Sequence, residues 1–218
     1  MAMTESLPSQ DLPAAKPDRA PRRTHPLLEQ LASLYPALFG AQFRPLKRGI
    51  FQDLQAAHPG QFAKDDLKLA LGIHTRSTRY LQCMASGDKR HDLQGQPVEV
   101  VAPEHVFQAL TELYRRRKPR DGDDRDAWLR KRLVHAFEAS GLSREAYVEI
   151  AHSKDELVNV LRDEALSEAS ARLAKAEALR RTFEASGQTV EAFAEMYGMD
   201  RRAVAQALAR TAPATPAA

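Results

Sequence analysis

The chain of 218 residues is long enough for one large domain or two small ones, and its 43% hydrophobic content allows a real core. A single cysteine, Cys83, excludes an internal disulfide, and no apolar run approaches the roughly 20 residues of a membrane span. The net charge of +3 hides opposed segments, with 4 basic and 4 acidic residues in 1–40, 14 and 8 in 41–120, and 14 and 17 in 121–218, so only the middle one draws a polyanion.

Residues 1–23 hold four prolines and few large apolar side chains, which predicts a disordered tail. From His25 to Phe39 the positions Leu27, Leu28, Leu31, Leu34, Tyr35 and Leu38 recur at helical spacing. A second helix is expected from about Pro45 through Ile50, Phe51 and Leu54 to a stop at His58-Pro59-Gly60. A third covers Lys64 to Leu71 and ends at Gly72, and a fourth takes Thr75 or Ser77 as its N-cap and runs through Tyr80, Leu81 and Met84. Lys89 to Val101 then reads as a small hairpin around Gln94-Gly95. Pro103 opens a helix that finishes in Arg115-Arg116-Arg117-Lys118, where cations suit a helix C-terminus.

Residues 119–124 form a polar break, placed here as a linker between a domain over 24–118 and a helical module over 125–210. That module contains an internal repeat. Phe137-Glu138-Ala139-Ser140-Gly141 returns as Phe183-Glu184-Ala185-Ser186-Gly187 at an offset of 46 residues, and Glu145-Ala146-Tyr147 returns as Glu191-Ala192-Phe193. The copies span about 137–161 and 183–207, joined by a long helix from about Asp155 to Glu184, and 211–218 is a loose Pro/Ala-rich end. The expected fold is therefore mainly α with a small β-hairpin, followed by an all-α C-terminal module of two helix-turn-helix-like repeats.

Three ordered blocks carry a more specific signal. Arg44-Pro45-Leu46-Lys47-Arg48-Gly49-Ile50-Phe51-Gln52-Asp53-Leu54, Thr75-Arg76-Ser77-Thr78-Arg79-Tyr80-Leu81 and Arg90-His91-Asp92-Leu93-Gln94-Gly95-Gln96-Pro97 resemble the signatures of the ProQ/FinO family of bacterial RNA chaperones, over roughly 25–118. The resemblance implies recognition of structured RNA at the base of a hairpin and its single-stranded 3′ end. It also implies that Tyr80 and Arg90 line the RNA-binding pocket, with Lys64 and Lys68 as basic positions on the neighbouring helix. The chain departs from the family pattern at Thr78 and His74, where an aromatic is common, and at Gly72, where a basic residue is.

The physics of RNA agrees with such a surface, because the deep major groove of duplex RNA cannot be read and affinity comes from cations on phosphates and stacking on exposed ends. The candidate RNA-binding residues are Tyr80, Arg90, Arg79, Lys64, Lys68, Lys47, Arg48, Thr75, Ser77 and Arg76. Lys64 and Lys68 share a helical face, and the hydroxyls of Thr75 and Ser77 sit where a helix start offers free N–H groups to a terminal phosphodiester. Tyr80 stays open as either an exposed stacking platform or a core aromatic, and Arg44, outside that set, is a candidate structural ion-pair partner of Asp53.

Seven histidines show no metal-ligand spacing, and no phosphate loop or nucleophile motif appears, so no enzyme, metal or cofactor is expected. A reducing, cytoplasmic setting is expected, with RNA as partner, a further protein partner for the C-terminal helices, and no membrane. The alternatives are a DNA-binding regulator using the C-terminal repeats, with Arg201 and Arg202 opening the last helix, and a helical protein scaffold.

Overall fold

Pro36 sets the first break in the chain. It carries no N–H and drives Tyr35 out of the helical region, to φ −131° and ψ 65°, so the helix expected over His25–Phe39 is two, α1 (Pro26–Leu34) and α2 (Pro36–Phe39). The structure is a computed structural model that describes residues 25–118, 122 and 124–211. The expected tail of residues 1–23, most of the 119–124 break and the end beyond Thr211 lie outside the described residues.

α3 (Ile50–Ala57) begins later than the expected Pro45, because the segment before it is extended and joins the hairpin. Leu46 forms a parallel bridge with His91, held by the His91 N–H on the Pro45 carbonyl at 2.7 Å and the Lys47 N–H on the His91 carbonyl at 2.8 Å. Gly49 then turns the chain into the helix at φ 84°, a conformation that costs glycine little. α4 (Lys64–Thr75) runs through Gly72, where a stop was expected. A mid-helix glycine costs about 1 kcal/mol relative to alanine, and burial of Leu67, Ala70, Leu71 and His74 along one face outweighs it.

α5 (Thr78–Met84) starts at Ser77, whose Oγ accepts the Tyr80 N–H at 3.1 Å, a cap worth about 1 kcal/mol. β1 (Arg90–His91) and β2 (Pro97–Glu99) pair antiparallel as the expected hairpin. Asp92 Oδ1 fastens its turn by accepting the N–H groups of Gln94 and Gln96 at 3.0 and 2.9 Å. α6 (Pro103–Arg116) carries its cations at the C-terminal end, as expected.

Among the described residues five helices follow: α7 (Arg125–Ser140), α8 (Arg144–Ile150), α9 (Glu156–Ser186), α10 (Val190–Met196) and α11 (Arg201–Thr211). The sequence repeat has a structural counterpart in its turns, where Gly141 and Gly187 adopt φ 65° and 60°, and Ser143 and Thr189 cap the next helices. Phe137 meets Tyr147 edge-on at 5.2 Å, and Phe183 meets Phe193 likewise at 5.3 Å. The polar break after Lys118 separates helices rather than cores. One buried cluster runs from Leu27 and Leu31 through Leu110 to Leu129, Tyr147, Val158 and Ala169, whereas Phe193, Ala194 and Val204 form a small cluster of their own. Among the described residues no helix is long and apolar enough to cross a membrane.

His74 sits in the core at 3% exposure, among the rings of Phe39, Phe43 and Tyr80 at 4.8, 4.3 and 5.2 Å. Burial, helped by the nearby Arg79 charge, pulls its pKa from the ordinary 6.5 down to about 4. As pH falls from 6.5 towards 4 the unfolded chain takes up a proton that the folded chain refuses. The neutral imidazole therefore costs stability progressively over that window, up to roughly 3 kcal/mol. His74→Phe is expected to flatten this loss, seen as a smaller drop in melting temperature between pH 7 and pH 4.5 than the unaltered chain shows.

Candidate nucleic-acid interface

The three sequence blocks converge on the peptide of Leu46, which is buried at 2% exposure. Its neighbours bond to the hairpin, so its own N–H and carbonyl point the other way, into the domain. The N–H donates to the Tyr80 hydroxyl at 3.0 Å, and the carbonyl accepts from Arg90 Nη1 at 3.0 Å. Arg90 also reaches His105 Nδ1 at 3.3 Å and Glu99 at 3.9 Å. Burial raises the pKa of Tyr80, consistent with a neutral hydroxyl at this joint.

Tyr80 and Arg90 are thus 6% and 8% exposed, and the expectation of an exposed stacking tyrosine gives way to the core reading. The ring contributes a wall to a cleft while its hydroxyl braces the backbone. Arg44 does not pair with Asp53; it donates to the Gly95 carbonyl at 3.5 Å, and Asp53 takes Lys47 Nζ at 2.8 Å. That contact raises the pKa of Lys47 through the Asp53 hydrogen bond and charge. Arg48 pairs with Glu99 through its backbone N–H at 3.1 Å and its guanidinium at 2.8 Å, contacts that lower the Glu99 pKa. Arg79 lies 4.4 Å over the Phe43 ring and donates to the Ala41 carbonyl. Thr75 Oγ1 donates to the Leu71 carbonyl at 2.9 Å, so it ends α4 rather than opening α5. Ser77 is occupied by its own helix, which is only seven residues long.

Of the candidate cations, those left for a ligand lie on α4 and at its C-cap. Lys64, Lys68 and Arg76 are exposed and make no ion pair among the described residues. They fall at spacings of four and eight, with Gly72 between the last two. The glycine is where the chain departs from the family pattern, and the structure shows what fills the space. A Cβ at Gly72 would lie 3.0 Å from Arg76 Nη2, so the Arg76 guanidinium folds back over the glycine and puts positive charge at that level of the ridge. Asp65 and Asp66 occupy the first turn, where they suit the helix dipole. Leu69 and Ile73, 51% and 39% exposed, flank the ridge with apolar surface that spacing alone did not single out.

At the C-terminal end of α4 the ridge reaches a cleft of about 520 Å³ between α5 and α6, with Thr75 and Tyr80 on its walls. Thr111 of α6 lines it too. Its Oγ1 is buried and has no hydrogen-bond partner among the described residues. Reading the sequence missed Thr111, although a hydroxyl between Leu110 and Leu113 on the apolar face of α6 was a visible irregularity.

In this small helical domain a cationic ridge on α4 thus leads to a cleft lined by both polar and apolar side chains. Residues 22–126, just under half of the chain, match the model of the ProQ/FINO family. Curated relatives named RNA chaperone ProQ include one from Shewanella amazonensis, 37% identical over 94 residues, which are 41% of this chain and 43% of the relative. Another, from Shewanella oneidensis, is 38% identical over 90 residues, 39% of this chain and 42% of the relative. The chain thus spans under half the length of the curated relatives it matches. Among solved structures, a FinO-like RNA chaperone from Neisseria meningitidis is 29% identical, covering 46% of this chain and 88% of its own, with a TM-score of 0.39. A ProQ homolog from Legionella pneumophila is 29% identical, covering 53% and 97%, with a TM-score of 0.37.

Tyr80→Phe removes one hydroxyl and leaves the buried Leu46 N–H without a partner. It is expected to lower stability by about 1–3 kcal/mol in denaturant unfolding, with an unchanged m-value.

Proposed function

We propose that this protein is an RNA chaperone acting in the cytoplasm in post-transcriptional regulation, with residues 24–118 gripping a terminator-like hairpin and its single-stranded 3′ end. The observation that carries this reading is the ridge of Lys64, Lys68 and Arg76, without ion pairs among the described residues, on a domain that matches the ProQ/FINO family. Phosphates lying along α4 would meet those cations over about 18 Å, from the 1.5 Å rise per residue, while Leu69 and Ile73 offer apolar surface to sugars and bases. Small regulatory RNAs and message 3′ ends are the partners that combine a folded stem with a free terminus. Binding, rather than covalent chemistry, is the activity proposed.

For the last repeat unit a protein contact is the better reading than a DNA contact. Met196, Tyr197 and Met199 stand exposed on and after α10, at 56%, 52% and 39%. The 121–218 segment is net acidic, which opposes duplex DNA.

The test is competition among a hairpin with an oligo-U tail, the same hairpin without its tail, and duplex DNA, at stated salt. The tailed hairpin is expected to bind most tightly, and equal binding of all three would overturn the reading. In the same assay Lys68→Ala and Arg76→Ala are each expected to lower the slope of log affinity against log salt by about 1.

A further inference from the structure

We infer that the first C-terminal repeat completes the RNA site: the loop of residues 152–154, between α8 and α9, forms the outer wall of the α5–α6 cleft, and Lys154 there takes a phosphate of the strand end. This rests on the RNA-binding reading and extends it to a part of the chain outside the residues matched to the family.

The cleft is lined by Tyr80 and Leu81 from α5 and by Gln108, Thr111 and Arg115 from α6, and closed by His152, Ser153 and Lys154. Its volume of about 520 Å³ lies within the range of sites that hold a small molecule, and one or two nucleotides fit that scale. The buried Thr111 hydroxyl is the second indication. An unpartnered buried hydroxyl costs stability, and because Thr111 borders the cleft, a small shift of its side chain on ligand entry would let a ligand oxygen, donor or acceptor, satisfy it. A ribose and its phosphate supply both.

The loop is held in place before any ligand binds. The Ser153 N–H donates to Asn159 Oδ1 at 2.9 Å, and Asn159 Nδ2 donates back to the Ser153 carbonyl at 2.9 Å. Arg162, 6% exposed, donates to the Ala151 carbonyl at 2.7 Å, and Arg115 Nη2 ties the loop to α6 through Ser153 Oγ at 3.4 Å. Lys154 is exposed and makes no ion pair among the described residues, so its charge is available. Glu112, the carboxylate of the cleft, is neutralised by Arg116 at 2.7 Å and Arg115 at 4.0 Å.

The repeat supplies an internal control. At the same offset of 46, the second copy has Gly198-Met199-Asp200 in place of His152-Ser153-Lys154, Ala205 in place of Asn159 and Leu208 in place of Arg162. The two copies agree in their caps and aromatic pairs, whereas the loop, its clamp and its cation belong only to the copy that borders the cleft.

The experiment uses the full chain, titrated with the oligo-U-tailed hairpin and with the tail-less hairpin across a salt series. Lys154→Ala is expected to weaken binding of the tailed RNA roughly five- to tenfold, to lower its salt slope by about 0.7, and to leave the tail-less hairpin unaffected. Thr111→Val is expected to raise the melting temperature of the free protein while weakening binding of the tailed RNA. An unaltered chain that binds neither RNA refutes the functional reading and this inference together. An unaltered chain that binds the tailed RNA, beside Lys154→Ala and Thr111→Val chains that match it in affinity and slope, overturns this inference alone.

Discussion

The domain depends on a single buried peptide. The backbone of Leu46 runs beside the hairpin, and the parallel bridge to His91 uses the peptide groups on either side, which leaves its own N–H and carbonyl facing the buried interior. Two unpaired polar atoms there would cost several kcal/mol. Tyr80 and Arg90, 34 and 44 residues further along the chain, satisfy one each. The hairpin, the extended segment before α3 and the short α5 are thereby locked to one another. That lock sets one wall of the cleft, because the Tyr80 ring that lines it belongs to the side chain whose hydroxyl holds Leu46.

This joint also reconciles the two readings that the sequence left open for Tyr80. A position can be central to a binding site without being exposed, when its task is to hold the frame on which exposed groups stand. The charges divide in the same manner. Lys47, Arg48, Arg79 and Arg90 are spent within the domain, on Asp53, Glu99, Phe43 and Leu46, while α4 keeps its cations for the outside. A basic segment therefore overstates the charge it can offer to RNA.

Much of the fold was legible because its determinants are local. The Ser77 cap, the Gln94-Gly95 turn, the helix opened by Pro103 and the repeat at offset 46 each rest on a few neighbouring residues, and the structure contains them all. The extended conformation of Pro45 to Lys47 was not legible, since nothing near it in sequence reveals a bridge to His91. Nor was the passage of α4 through Gly72, which buried Leu71 and His74 enforce from the core. At the site, residue types were readable and their availability was not. Ion pairs such as Arg48 with Glu99 span 51 residues, and the cleft gains its last wall from beyond residue 150.

α9 spans 31 residues, about 46 Å at 1.5 Å per residue, and serves both repeat units. Its first half is sunk in the main core through Val158, Leu161, Ala165 and Leu166, but between Ala169 and Ala176 no residue is buried. That stretch persists on alanine-rich helical propensity and exposed pairs such as Arg172 with Glu168, each worth a few tenths of a kcal/mol. The middle of the helix is thus a thermal fuse. On warming, local opening of α9 is expected to begin there, ahead of its packed first half.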